Sequence, residues 1–415
     1  MEKNIGLISY TKKYKSEIIL FVICVTFYLT VTLIFFKETT IFYELNNNYD
    51  VVLDTDTGVL INWNTFVTST DNGKHFLFSA IASIFCYPAY ELSLWMSNIG
   101  LFDFKTIYGF SLISVQILIS STSIVMVFNH IRKLKLQRIT TVLIMSIMMV
   151  SFPQMLMTIN VERFIYAQLS LVLFMMLSEK FKDKDSYIVD IAAIPLLGIT
   201  ITNVYLYLFD LILKYKFKVK KMLKHIGAFL FSAYIITVST RSYESFFTLA
   251  QTAQSDTKFL ASLPILEKLS MIVNRLLCPV LFFPAAKFDK GMLLQNGSVN
   301  KIYVILILLI LCFCILTLLD NLDKKIVQLS FGVLITNIVL HGIIGYNLLN
   351  ASIMTIQFSF AVIILLSYFT KSLKEKEIVV YNIFLGIVLL AIIISNIIGF
   401  KEIFEIGVKY YPFIR

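Results

Sequence analysis

Charge is what this sequence has least of. Charged residues make up 15% of 415 positions, against about 25% in a soluble domain. With 58% hydrophobic residues and a mean hydropathy of +0.81, there are too few polar groups to cover a water-facing surface, which excludes a soluble enzyme. Cysteine is also rare. Five occur, at Cys24, Cys86, Cys278, Cys312 and Cys314, so a secreted disulfide scaffold is excluded. None has metal-ligand spacing, and Cys312 and Cys314 face different sides of a helix, so these thiols read as small hydrophobes. Proline (7) and glycine (15) are sparse and no low-complexity linker is present, which excludes a disordered chain. The net charge of +10 would suit nucleic acid, but the basic residues sit in short runs between apolar stretches. That distribution sets membrane orientation and excludes nucleic acid as a partner.

What is abundant is aromatic and aliphatic: 36 Phe and 21 Tyr. Apolar stretches fall at about 17–36, 106–129, 139–158, 163–178, 225–240, 302–319, 326–343, 353–370 and 378–398, each near the length that a bilayer requires. The expected fold is all-α: a polytopic membrane bundle of about 9–11 transmembrane helices. The first stretch lacks a small-residue cleavage site and reads as an uncleaved anchor. Two further stretches are ambiguous, 76–100 (broken by Pro88, Glu91 and Gly100) and 187–213 (broken by Pro195 and Gly198).

The lysine and arginine pattern resolves both. Lys12, Lys13 and Lys15 place the N-terminus in the cytoplasm, as Arg132, Lys133, Lys135 and Arg138 place the 130–138 turn. Residues 76–100 then form helices in the outer interface. Lysines on both sides of 187–213 make it enter and return as two half-helices meeting near Gly198–Asn203. Such a break is tolerated only inside protein or beside a watery cavity. Residues 1–240 thus form an N-terminal transmembrane module with a first outer loop at 37–105. Residues 241–301 form an outer loop with amphipathic helices, and 302–415 the last spans, with a short outer tail from about 399.

The first outer loop is richest in chemistry. Asp54-Thr55-Asp56-Thr57 follows the first anchor, and Lys74-His75-Phe76-Leu77-Phe78 opens the next apolar stretch. A carboxylate can take a proton from a sugar hydroxyl, and a lysine and a histidine can hold a phosphate at headgroup depth. A solvated acidic turn is the alternative for the same residues. Asp54 and Asp56 are also the oxygen donors that would suit Mg²⁺ or Mn²⁺, and the sequence leaves metal dependence open.

The DTDT block followed by KHFLF resembles the first outer loop of bacterial GT-C-type membrane glycosyltransferases. Further pieces recur in the same order: Asn160-Val161-Glu162-Arg163-Phe164 resembles a Pro-Glu-aromatic motif, and Gly198-Ile199-Thr200-Ile201-Thr202-Asn203 a Gly-x-x-x-Thr-Asn segment. Gly345-Tyr346-Asn347-Leu348-Leu349-Asn350 resembles a Gly-aromatic-polar turn before a late span. Phe76 and Val161 stand where prolines are common in that family, and Gly58 and Asn62 where an arginine would follow the acidic block. The resemblance implies a GT-C-like fold in the bacterial cytoplasmic membrane, with its active site facing outward. It implies a polyprenyl-phosphate sugar as donor and an extracytoplasmic glycan, polymer or lipid as acceptor. The reaction would be an inverting displacement with Asp54 or Asp56 as base.

Glu162 is the next catalytic candidate, an ionisable residue at a span boundary; its alternative is a snorkelling pair with Arg163. Asn203, at the tip of the broken helix, would bind a sugar hydroxyl or cap a half-helix. Lys74, His75, Arg241 and Arg275 are the candidate cations for a leaving phosphate, or else contacts to membrane lipid headgroups, and Arg163 is a further candidate for substrate binding. A glycan polymerase and a lipid-linked glycan transporter or flippase are the alternatives. The first would take a polyprenyl-diphosphate repeat unit. The second would use Asp190 and Asp210, the acidic residues of 187–213.

Overall fold

The computed structural model describes residues 14–41, 73–248, 263–289 and 291–413, with 45–46, 49–53 and the single positions 55, 57, 60, 254, 257, 260 and 261. The N-terminal part runs α1 (Lys15–Glu38), a two-stranded ribbon β1 (Leu45–Asn46) and β2 (Tyr49–Asp50), α2 (Phe78–Asn98), α3 (Phe104–Arg132), α4 (Arg138–Val150), α5 (Phe152–Leu156) and α6 (Phe164–Lys180). Four elements make up the broken stretch and its exit: α7 (Ile188–Ala192), α8 (Ile194–Ile199), α9 (Val204–Tyr215) and α10 (Val219–Ser239). Then come α11 (Tyr243–Phe247), α12 (Ile265–Met271), a second ribbon of β3 (Ala286–Asp289) and β4 (Met292–Gln295), α13 (Lys301–Asp320), α14 (Lys325–Asn337), α15 (Ile356–Phe369) and α16 (Glu375–Tyr410). The protein is an all-α bundle with two short hairpins.

Seven helical segments among the described residues are long and apolar enough to cross a bilayer: Lys15–Glu38, Phe104–Arg132, Val219–Ser239, Lys301–Asp320, Lys325–Ile343, Leu348–Ser372 and Glu375–Tyr410. Their outer faces carry large apolar side chains, among them Ile19 and Ile23 on α1, Ile302 and Ile305 on α13, and Val380 and Ile383 on α16. Exposing such side chains to water would cost about 25 cal/mol per Å² of apolar surface, whereas lipid removes that cost. The chain is membrane-embedded.

The expectation of about 9–11 spans exceeds these seven segments for physical reasons. Residues 139–158 are not one helix, because the chain breaks between α4 and α5 at Ser151. Pro153 has no N–H to give Met149, and the freed Met149 carbonyl accepts from Tyr28 Oη at 2.7 Å instead. Phe152 N donates to Leu281 O at 2.9 Å, and Val150 O accepts from Asn396 Nδ2 at 2.5 Å. These loosened backbone groups are thus paired within the protein, as a low-dielectric setting demands. Residues 76–100, expected as interfacial helices, form the single helix α2. Its small buried face (Ala82, Ser83, Cys86, Ala89, Ser93) packs on α3, and Leu92 and Trp95 stay exposed. Residues 187–213 break as expected between Ile199 and Val204.

At the centre lies α15. The segment Leu348–Ser372 that contains it is 89% buried, against 22% for Lys15–Glu38 and 28% for Glu375–Tyr410. α3, α4, α6, α13 and α14 all pack around α15, and its small polar residues Ser359 and Ser367 are buried with it. The region from 399, expected as a tail, continues α16 to Tyr410. Gly399 and Gly407 do not end that helix but admit Phe283 and Thr39, whose side chains lie 2.2 and 2.5 Å from where a Cβ would stand. Beyond it the chain pairs with the end of α1: Thr40 N donates to Tyr411 O at 2.9 Å and Phe413 N to Glu38 O at 3.1 Å.

Candidate functional site

Three junctions bring the singled-out stretches together. The first lies between the acidic block and 160–163. Asp54 and Asp56 themselves fall outside the described residues, but their neighbours Thr55 and Thr57 are buried. Thr57 Oγ1 donates to Val161 O at 3.1 Å, and Asn160 Nδ2 donates to Thr55 Oγ1. Gln116 of α3 holds the other side of that segment, donating through Nε2 to Asn160 O at 2.8 Å and accepting from Glu162 N at 2.5 Å. The first loop is also tied to the second ribbon: Leu293 N donates to Val51 O at 2.7 Å, and Leu53 N to Leu293 O at 2.8 Å.

Glu162 is fully buried and Arg163 is 8% exposed, so the snorkelling alternative does not hold. The Glu162 carboxylate accepts from Arg163 N at 2.7 Å and Phe164 N at 3.3 Å. It therefore sits on the N-terminus of α6, where unpaired N–H groups and the helix dipole favour a negative charge. Arg163 lies over the Phe78 ring, 5.9 Å from its centroid. That contact links the first junction to the second.

The second junction joins 75–77 to the helix break. The chain leaves helical geometry at Thr200 (φ −151°, ψ 105°), which frees the carbonyls before it. Gly198 O accepts from Leu77 N at 3.1 Å and Ile199 O from His75 Nδ1 at 2.5 Å. A carbonyl can only accept, so His75 carries its proton on Nδ1 there and points Nε2 the other way. Gly198 is glycine because Leu77 lies against it: a Cβ would stand 2.3 Å from Leu77 Cβ. Asn203 does not cap α9; its Nδ2 donates to Gln357 Oε1 of α15 at 3.0 Å, with both side chains buried. The broken helix is thus bolted to the central one.

The third junction centres on the turn Gly345–Asn350. Lys74 Nζ donates to Tyr346 Oη at 3.1 Å and lies 5.8 Å from the ring centroid. Arg275, on the π-helical turn Ile272–Leu277, donates to Leu349 O at 2.8 Å, and burial pulls its guanidinium below the usual arginine value. Lys268 was not singled out from sequence. A Cβ on Gly345 would stand 3.1 Å from its Nζ, and Gly345 takes the left-handed conformation (φ +85°) that leaves this space. Lys268 and Arg275 are seven residues apart, two helical turns, so the amphipathic 265–275 stretch held the signal. His341 Nδ1 donates to Tyr346 O at 2.8 Å and steadies the turn.

Of the expected site residues, Glu162, Arg163, Lys74 and His75 meet through these contacts, and Arg275 shares the Lys74 turn. Arg241 is exposed in a left-handed turn (φ +57°), just before α11, which packs on Gly73–His75. Among the described residues no three His, Cys, Asp or Glu side chains group as a metal site. Asp190 and Asp210 are already engaged: Asp190 with His225 at 2.7 Å and Tyr207 at 2.9 Å, Asp210 with Lys325 at 2.6 Å. No family model, no curated protein and no solved structure matches this chain.

Proposed function

We propose that the protein is a GT-C-like membrane glycosyltransferase that moves a sugar from a polyprenyl-phosphate donor to an extracytoplasmic glycan, polymer or lipid. Asp54 or Asp56 takes the proton from the acceptor hydroxyl as its oxygen attacks the anomeric carbon. The bond to the lipid phosphate breaks on the opposite face, giving inversion, and the phosphate leaves as an anion without needing a proton. Lys74, Lys268 and Arg275 supply positive charge to that anion, and Arg163 orients the sugar side. The buried Glu162 keeps the start of α6, and with it Arg163, in place.

The observation that carries this reading is the convergence of the three junctions. Thr55 and Thr57, which alternate with the two aspartates in sequence, sit on Asn160–Val161, and Arg163 touches the segment that carries Lys74. An acidic stretch and a cluster of cations are thereby joined through one connected set of contacts, the pairing that base-assisted displacement of a phosphate needs. Asp190 is hydrogen-bonded to His225 and Tyr207, and Asp210 pairs with Lys325, so both acidic side chains of the transport reading already have partners within the bundle.

The test is transfer from a polyprenyl-phosphate sugar by the full chain in liposomes. Asp54→Asn and Asp56→Asn are made singly. One of them should lose about 10²–10⁴ in rate; full activity in both folded variants overturns the mechanism. Turnover of a polyprenyl-diphosphate repeat unit instead would replace the reading with that of a polymerase.

A further inference from the structure

A second basic site lies at the end of the bundle that the lysine and arginine pattern assigns to the cytoplasm. The turn between α3 and α4 and the start of α1 line a half-open cavity of about 280 Å³. Arg132, Lys135 and Arg138 line it, with Thr141 and Ser16 beside them, and Phe128, Leu136 and Val142 supply its apolar wall. Lys135 takes a left-handed conformation (φ +53°) in this turn. Among the described residues the carboxylate that pairs with this lining is that of Glu17, which holds Arg132 through both oxygens at 2.7 and 2.9 Å. Lys135 and Arg138 have no carboxylate partner among the described residues. The cavity therefore carries an excess of two positive charges.

Its apolar wall continues beyond the cavity. Ile19 and Ile23 follow Ser16 at helical spacing on α1 and are about half exposed, at 47% and 49%, and Val142 on α4 is 54% exposed. A charged pocket thus opens onto a greasy stripe that runs along the bundle. A free phosphate would use only the pocket, whereas an amphiphile uses both. The volume is at the low end for ligand sites and suits a headgroup rather than a whole lipid.

We infer that this cavity binds the phosphate headgroup of an anionic membrane phospholipid, with its acyl chains along Ile19, Ile23 and Val142. Lys135 and Arg138 contact the phosphate, and Arg132, held by Glu17, forms the fixed wall between them. The site is separate from the three junctions and does not depend on the glycosyltransferase reading.

The test uses the full chain in phosphatidylcholine nanodiscs doped with fluorescent phosphatidylglycerol. Removing two basic residues from an anionic surface site weakens binding by about 30-fold, so Lys135→Gln/Arg138→Gln should show that loss. Lys371→Gln/Lys376→Gln removes the same charge from another exposed basic run and should leave affinity unchanged. Val142→Glu, which sets a carboxylate on the exposed wall, should match the first double variant, so that a folding defect in one can be told from loss of the site. Soluble glycerol phosphate should fail to compete. Equal losses in the control pair, no loss in either pocket variant, or competition by glycerol phosphate overturns the assignment.

Discussion

Gly198→Ala is the sharpest probe of the junction between the first loop and the broken helix. The added methyl would stand 2.3 Å from Leu77 Cβ, 2.7 Å from its Cδ1 and 2.9 Å from its Cγ. Overpacking of this kind costs about 1–3 kcal/mol, and a contact so far inside van der Waals range belongs at the upper end. Relief requires the 75–77 segment to move, which costs the Leu77 N to Gly198 O hydrogen bond, about 1 kcal/mol. Alanine returns about 1 kcal/mol of helix propensity. The net loss is about 3 kcal/mol. Four of the five cysteines (Cys24, Cys86, Cys278 and Cys314) are buried, so a thiol-reactive fluorophore reads unfolding directly in detergent. The midpoint should fall by several degrees. Leu77→Ala keeps the Cβ that makes the closest contact and should not rescue Gly198→Ala; Leu77→Gly should, as a favourable coupling in a double-mutant cycle. An unchanged midpoint in Gly198→Ala, or no coupling to Leu77→Gly, would refute the close packing of these two segments.

Two further outcomes are expected. Lys268→Gln should lower kcat/KM for a polyprenyl-phosphate donor at least about tenfold, mostly through kcat, because the cation acts on charge that grows as the phosphate leaves and a hydrogen bond to a charged group contributes about 1.5–3 kcal/mol; initial-rate kinetics at varied donor check this, and an unchanged kcat/KM would count against it. Asp185 is held well below the usual carboxylate range, first by its contact with His225, then by donation from Tyr215 and Lys224. A depressed folded value stabilises fully above the unfolded value of about 3.9 and the contribution fades as pH falls below it, so the parent midpoint should drop below about pH 4 and that of Asp185→Asn should drop less.

Much of the architecture was legible because membrane spans announce themselves by length and composition. The seven long apolar segments fall where the hydropathy puts them, and the break near Gly198–Asn203 follows from Pro195, Gly198 and the lysines on both flanks. The break at Ser151 was not legible, because Pro153 stands in an otherwise unbroken apolar run and its compensating partners, Tyr28, Leu281 and Asn396, come from distant parts of the chain. Nor does periodicity separate a central helix such as α15 from a peripheral one when both are apolar all round. At the candidate site the stretches were readable but their contacts were not. Thr55 and Thr57, rather than a charged group, make the described links from the acidic block, and Asn203 bonds Gln357 where a sugar contact or a helix cap was the expectation. The tail expected from about 399 is instead helical to Tyr410, and Gly399 makes room there for the Phe283 ring.

The seam between the end of α1 and residues 411–413 has a consequence for biosynthesis. Thr40 and Tyr411 are 371 positions apart, and the ribosome delivers one long before the other. The first anchor therefore enters the bilayer with its far end unfastened and stays so while the intervening helices are threaded and packed. The clasp shuts only once residues 411–413 emerge, which makes it a late checkpoint on assembly of the helices between.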